Sequence, residues 1–547
     1  MSQPAPTLRD TNLVKLGQLR FDVLVLGGGI NGAVSAAALA ARGAKVALID
    51  RGDFAGATSQ NSSNLAWGGI KYLETYELGL VRKLCRARNE LLRAYPSMVQ
   101  EIRFFTSVAR GFRHGRFKLW LGALLYWAIG NFFTRGPRLL SSSRIGREEP
   151  IVNTSGLAGG FEYSDAYLFD NDARFVWGFI RTALDHGCAA ANYVEALRCE
   201  RSQDGWITRA RDAVSGREIQ IRSRLLINAC GPWADEVNAR NGVPTEHHHV
   251  FSKGIHILVD RLTPHPRVLT FFADDGRLFF VIPMRPKTCI GTTDTRVDRP
   301  DVEVTAEDRR FVLENINKRL RLPHPLTERD IVAERCGVRP LAVAGAGTGE
   351  RDWVQLSRKH AVETDAARGH VTIFGGKLTD CINVGEEICE VVRGLGVVLP
   401  FADRVWYGEP PEAVREEYFH QAQLMDLDAL TAPRASEKLS TRLWRRYAGE
   451  ALGLLEAIRR DPRQAEVIIE TSEYIRCELD EAARREMVVK LEDFMRRRSK
   501  IALVVRKEEV RAAAGLREAA RILFGDEKAE EKIREYFGEA EGATRTA

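Results

Sequence analysis

Between residues 21 and 50 the chain spells out one supersecondary unit that few folds can absorb. Phe21–Leu26 is an apolar run that ends at glycines, Ile30–Arg42 is alanine-rich and helix-forming, and Ala44–Ile49 is a second apolar run. Strand, helix and strand within about 30 residues make a β-α-β unit. The connecting turn is Gly27-Gly28-Gly29-Ile30-Asn31-Gly32, so Gly27, Gly29 and Gly32 hold the GxGxxG spacing. The first glycine permits the tight turn, the second lets backbone approach a pyrophosphate, and the third lets helix and strand pack closely. The helix N-terminus favours the anion. Asp50 ends the second strand, eighteen residues beyond Gly32, where a carboxylate can hold a ribose hydroxyl. The pattern predicts a Rossmann-like dinucleotide site. By itself it leaves FAD and NAD open. Its place at the N-terminal edge of a mixed region running to about residue 400 suits a flavin enzyme, whose cofactor lies extended through its domain.

Composition removes other classes. A chain of 547 residues exceeds one ordinary core. With 44% hydrophobic and 28% charged residues it is neither collagen-like, nor wholly disordered, nor a polytopic membrane protein. The net charge of +6 is small for this length, and no nucleic-acid partner is expected. Nine dispersed cysteines without a CxxC pair suit reduced thiols in the cytosol. Met1–Arg20 has no apolar core, so no secretory signal is expected. Residues 1–20, with Pro4 and Pro6, read as a loose lead-in. Residues 21–400 mix strands and helices, residues 401–547 are helical and arginine-rich, and the stretch from Ala540 is expected to fray.

Residues 111–147 interrupt the pattern. Leu119–Thr134 carries no charge over sixteen residues and holds Trp120, Tyr126, Trp127, Phe132 and Phe133. Arg110, Arg113, Arg116 and Lys118 flank one side, and Arg135, Arg138 and Arg144 the other. As a helix it reaches about 24 Å, short of a bilayer core of about 30 Å. The expectation is an interfacial segment on an anionic membrane surface, with a buried core helix as the alternative. Arg496–Arg498 and Lys500 are expected either on that same surface or as a solvated helix face. His247-His248-His249 reads as a solvated loop, because adjacent residues rarely face one ion, and no metal is expected.

Nine further motifs follow in order: Ala57-Thr58-Ser59, Ser62-Ser63, Gly68–Glu74, Gly160–Asp165, Asn228–Trp233, Lys253–His256, Ile290–Asp294, Gly337–Pro340 and Phe374–Thr379. Together they resemble the FAD-dependent, aerobic-type glycerol-3-phosphate dehydrogenases, and Leu491–Lys500 resembles a signature of that family's C-terminal domain. The resemblance implies an α/β (α+β) fold: a Rossmann-like FAD-binding domain interleaved with a β-rich substrate domain, as in D-amino-acid-oxidase-like flavoproteins, over residues 21–400. A helical C-terminal domain fills residues 401–547. It implies hydride transfer from C2 of sn-glycerol 3-phosphate to flavin N5, giving dihydroxyacetone phosphate, with electrons passed to a membrane quinone. It also implies a peripheral place on the cytoplasmic face of the membrane. A homodimer is left open.

The resemblance also assigns roles. His256 is the candidate base, since imidazole titrates near working pH. Arg339 is the candidate anchor of substrate oxygen or phosphate. Lys377 sits near the flavin, where a cation stabilises reduced-flavin charge. Lys71, Tyr72 and Thr379 border the substrate. Gly27, Gly28, Gly29, Ile30, Asn31, Gly32, Asp50, Arg51, Thr58, Ser59, Val194, Gly231, Gly376, Lys377, Leu378 and Thr379 form the FAD set. The chain departs from the family where Ser-Lys-Leu-Ile-His-Gly-Gly-Leu-Arg-Tyr becomes Ser63-Asn-Leu-Ala-Trp-Gly-Gly-Ile-Lys-Tyr72, and where Thr-Thr-Tyr-Arg becomes Thr379-Asp-Cys-Ile382. Asn64, Trp67 and Lys71 leave open another polyol phosphate, a hydroxy acid or an amine as substrate. They also leave open a flavin-bound subunit without turnover.

Overall fold

The computed structural model describes residues 7–274, 276–345, 359–433 and 435–539; the fraying expected from Ala540 lies outside them. The chain divides into two compact units: Leu16–Tyr407, and Gly408–Ala547 with Met1–Lys15.

The larger unit is built on two sheets whose strands alternate along the chain. In the first sheet, Ala189–Ala191, Val46–Ile49, Arg20–Leu26, Glu218–Asn228 and His370–Phe374 lie side by side and parallel. Ala361–Asp365 closes one edge antiparallel. These strands are short apolar runs because both faces of a parallel sheet are covered. The alanine-rich helix Ile30–Ala41 buries ten of its twelve residues, since small side chains allow close packing. Leu26, Ile49, Asn228 and Phe374 all end at the same edge, so the loops that follow them share one crevice. In open parallel sheets that edge is where ligands bind.

The second sheet has ten strands. Next to one edge, the long strand His247–Asp260 pairs with Lys287–Gly291 on one side and with the edge strand Ala333–Ala344 on the other. Leu278–Met284, Arg267–Phe272, Val99–Ala109 and Leu157–Leu168 continue it. Alternation sorts its faces. Ile255, Ile257, Val259, Val281 and Ile290 pack with Val312 and Ile316 of helix Ala306–Arg319 in one apolar core. The opposite face carries polar and aromatic groups, with Arg335, His256, Gly291 and Phe280 in cross-strand register.

The structure corrects three expectations. Residues 8–18 form a helix, not a loose lead-in; Thr7 and Asp10 cap it reciprocally. His247–His249 begin the long strand and are not a solvated loop. In the smaller, helical unit, Arg496, Arg497, Arg498 and Lys500 are buried, so they neither form a solvated face nor extend a surface patch. Arg496–Arg498 lie within a π-helical segment, Asp493–Arg498, and Lys500 follows it. Asp493 pairs with Arg497 at 2.6 Å, Arg498 donates to the Glu486 carbonyl, and Lys500 faces Glu473 at 3.4 Å. Buried charge persists only when paired in this way.

Candidate functional site

The nucleotide end of the crevice is made by leaving side chains out. Gly27 has φ +98°, and a Cβ there would stand 2.6 Å from the Ala229 carbonyl oxygen. A Cβ on Gly32 would stand 1.8 Å from the Gly27 carbonyl oxygen. In front of Gly29 the space is open except for Ser59 Oγ at 3.4 Å. Gly29 caps the helix Ile30–Ala41 without a side-chain bond, so its N-terminal dipole is available to an anion. Ser59 Oγ accepts from Ile30 N at 3.0 Å, and Thr58 donates to the Val338 carbonyl. Asp50 accepts from Gly28 N and Gly52 N at 2.6 and 2.8 Å. Burial raises its pKa to about 6 against those two bonds. Val194 N donates to the Asp50 carbonyl, and Arg51 stacks on Trp233 at 4.2 Å. Gly231 (φ +54°) has nothing within 4 Å of a would-be Cβ. An open anion cradle, a carboxylate at the ribose position and a buried Asn31 Oδ1 without a partner fit an extended dinucleotide such as FAD.

The Gly375–Thr379 loop is brought to the same place from the far end of the sheet. Asn31 Nδ2 donates to the Gly375 carbonyl at 3.0 Å, and a Cβ on Gly376 would meet Asn31 Oδ1 at 3.4 Å. Lys377 Nζ stands 4.3 Å from the Tyr72 ring and 5.8 Å from Trp67, and Lys71 Nζ lies 5.4 Å from Tyr72. Thr379 is buried and donates to the Trp67 carbonyl at 3.3 Å. Leu378–Asp380 form a short 3-10 turn. Asp380, one of the departures from the family pattern, bonds His360 at 2.6 Å.

The other wall of the candidate site is the polar face of the large sheet. Ser252, Gly254 and His256 share one face of their strand at alternate positions. The Arg339 guanidinium lies over Gly254, where a Cβ would stand 2.3 Å from it. Arg339 donates to Thr292 Oγ1 at 2.8 Å and lies 3.5 Å from Asp294. His256 is 1% exposed; its Nε2 is 2.8 Å from Ser63 Oγ, and its Nδ1 is buried without a hydrogen-bond partner. Burial first, and then the charges of Arg335 and Arg339, hold its pKa well below the ordinary imidazole value. The ring is therefore a neutral base. Trp67 packs edge-on to Phe280, in register with His256 across Gly291, and donates to Tyr163 at 3.1 Å.

Sequence reasoning missed the groups that hold this wall in place. Arg335 is buried against Asp172 at 3.5 Å, with both side chains inaccessible, and donates to the Ser62 carbonyl and Asn64 Oδ1. Asn64, in the left-handed region at φ +56°, also donates to the Leu168 carbonyl. A lysine there would bring a second charge beside Arg335. The four-residue spacing of Arg335 and Arg339 on one strand was the available signal, since it puts both on one face. A second buried set joins Arg88, Asp165 and Tyr126: Tyr126 donates to Asp165 at 2.7 Å, and Gly68 N donates to both carboxylate oxygens.

Tyr126 belongs to helix Arg116–Ile129, inside the segment expected at a membrane surface. The indoles do not face outward as expected. Trp127 donates to the Thr134 carbonyl and Trp120 is half-buried. Phe117, Leu121 and Leu125 form the exposed stripe instead, followed by Phe132 and Phe133. No helix among the described residues is long and apolar enough to cross a membrane.

Comparison with known proteins identifies the family. The FAD dependent oxidoreductase family matches residues 22–373, and the C-terminal domain of alpha-glycerophosphate oxidase matches residues 336–528. The chain is 32% identical over 394 residues to the aerobic glycerol-3-phosphate dehydrogenase of Bacillus subtilis, covering 70% of this chain and 69% of that protein. It is 30% identical over 533 residues to a glycerol-3-phosphate dehydrogenase of Synechocystis, covering 92% and 93%. The structure of the glycerol-3-phosphate dehydrogenase of Bacillus halodurans shares the fold at TM-score 0.72 and 23% identity, over 97% of both chains. With its interleaved FAD-binding and substrate sheets and its helical C-terminal domain, the chain belongs to the FAD-dependent glycerol-3-phosphate dehydrogenase family.

Proposed function

We propose that this protein oxidises sn-glycerol 3-phosphate to dihydroxyacetone phosphate and passes the electrons to a membrane quinone. The reading rests on one observation above others: a buried, neutral His256 and the Arg339 guanidinium share a sheet face. When bound, FAD supplies the two-electron acceptor at N5. Gly27–Gly32 and Asp50 would hold its nucleotide half, and the Gly376–Thr379 loop would contact its flavin.

The residues divide the remaining work. Arg339, with Lys71, grips an anionic substrate, and the planar fork of Arg339 orients it; Lys377 offsets the negative charge that reduction would place on the flavin. His256 takes the C2 hydroxyl proton. In the tautomer whose Nε2–H donates to Ser63 Oγ, the lone pair on Nδ1 is the acceptor, and a substrate hydroxyl would satisfy that buried atom. Tyr72, Trp67 and Phe280 keep water from the site. The relatives named for glycerol 3-phosphate carry the substrate assignment.

The outward stripe Phe117, Leu121 and Leu125, beside exposed Arg113 and Lys118, supports peripheral contact with an anionic bilayer. Replacing all three apolar residues by Ser is expected to release the protein from anionic vesicles; undiminished binding would reject the membrane reading. The test of the reaction is anaerobic. Adding sn-glycerol 3-phosphate to the FAD-loaded protein should bleach the flavin band near ~450 nm. An unbleached band with this substrate would overturn the proposal.

A further inference from the structure

His249 takes no part in the chemistry above, yet its side chain is wholly inaccessible and makes a polar contact at each ring nitrogen. Nδ1 lies 3.0 Å from Asp235 Oδ2, an oxygen that also accepts from His249 N. Nε2 lies 3.1 Å from Gly375 N. A backbone N–H only donates, so Nε2 carries the lone pair and the ring hydrogen sits on Nδ1, donated to Asp235. The Gly375 carbonyl is held as well, by Asn31 Nδ2 at 3.0 Å. One residue, Gly375, is thus held through both its N–H and its carbonyl, by the strand that carries His256 and by the first turn of the nucleotide helix.

We infer that His249 is a positioning residue that, with Asp235 and Asn31, fixes the Gly375 peptide and so places Lys377 at the reacting end of the site. The inference rests on the role proposed above for Lys377. Gly375 and Gly376 have φ of +61° and +104°, and glycines without such anchors leave a loop free to wander. Asp235 opens helix Ala234–Arg240, directly after the Asn228–Trp233 motif. The imidazole therefore joins three segments that meet at the crevice. Burial opposes ionisation of Asp235, but its bonds to His249 outweigh it and hold the carboxyl below its ordinary range.

Charged and aromatic groups enclose the ring. Asp235 contacts it directly, and His248 acts on Asp235 through charge. His247 and Glu363 form a pair beside it, and Phe374 and Phe251 cover the remaining faces at 5.1 and 6.2 Å.

The test compares His249→Leu, His249→Gln and Asp235→Asn in the FAD-loaded protein. In His249→Leu, amide exchange over residues 371–379 should quicken selectively. kcat/KM for sn-glycerol 3-phosphate per bound flavin should fall by roughly 10- to 100-fold, and the flavin midpoint potential should become more negative. His249→Gln should recover most of the loss, because its amide can accept from Gly375 and donate to Asp235. Unchanged exchange, or faster exchange with unchanged rate and potential, would overturn the inference. Should His249→Leu fail to fold or to hold FAD, Asp235→Asn decides: unchanged amide exchange over residues 371–379 rejects the clamp. Lys377→Met separates the two proposals. If it leaves kcat/KM intact the role of Lys377 falls, whereas the exchange result reads the clamp alone.

Discussion

At Gly27–Gly32 the protein makes a site by removing atoms: Gly27 and Gly32 bring carbonyl oxygens within 2.6 and 1.8 Å of where side chains would begin, and Gly29 leaves open space. On the face that carries His256 it does the reverse, setting a buried Arg335 and a partly buried Arg339 around a buried histidine. The cradle recognises a group common to many cofactors, using backbone dipoles that cannot titrate. In the function proposed above the wall discriminates one anionic alcohol and moves one proton, which needs charge, held rigidly and at low dielectric. Arg335 shows the cost of the second strategy. It touches no substrate in our reading, but through Asp172, Ser62 and Asn64 it fixes the loop that supplies Ser63 to His256.

The contrast can be broken by three substitutions. The largest effect is expected from Gly32→Ala. A Cβ there overlaps the Gly27 carbonyl oxygen outright, so the turn must open, and flavin absorbance per protein should fall nearly to zero while the large sheet stays folded. Second is Asp172→Ala, which strands Arg335 in a wholly buried position. The expected loss is about 3–5 kcal/mol of stability, read as a lowered urea midpoint. Near-normal stability would mean that Ser62 and Asn64 alone satisfy the guanidinium. Third, Arg339→Ala should cost about 2–4 kcal/mol in transition-state terms, roughly 30- to 900-fold in kcat/KM, with FAD content unchanged. An unaltered rate would remove Arg339 from substrate contact and leave His256 as the wall's only reacting group.

The same contrast explains what could be read in the sequence. A glycine demanded by a positive φ or a close carbonyl is dictated within a few residues, so Gly27–Gly32 was legible as spacing, while Gly375–Gly376 were reached through the family motif. The wall is dictated by partners far along the chain. Arg335 meets Ser62 across 273 residues, and His249 meets Gly375 across 126. His256 and Arg339 were therefore reached through resemblance to a family, not from their own neighbours. The misread arginines of the helical unit make the same point. Arg496–Arg498 look like a solvated run, and nothing local says that Asp493, Glu486 and Glu473 will receive them. The helix at residues 8–18 is a different case. Thr7 and Asp10 stand at capping-box spacing, a local signal that the nearby prolines obscured.

Tyr126 carries a consequence for how this molecule can change. The hydroxyl that binds Asp165 stands 2.2 Å from where a Cβ on Gly68 would begin, and Tyr126 and Ala123 are the two buried residues of a helix whose other side is bare hydrocarbon. Any side chain at position 68 evicts the phenol, and with it the peg that seats the helix. The loop beside the reacting groups and the outward-looking helix are mechanically one part, so neither can be redesigned while the other is kept.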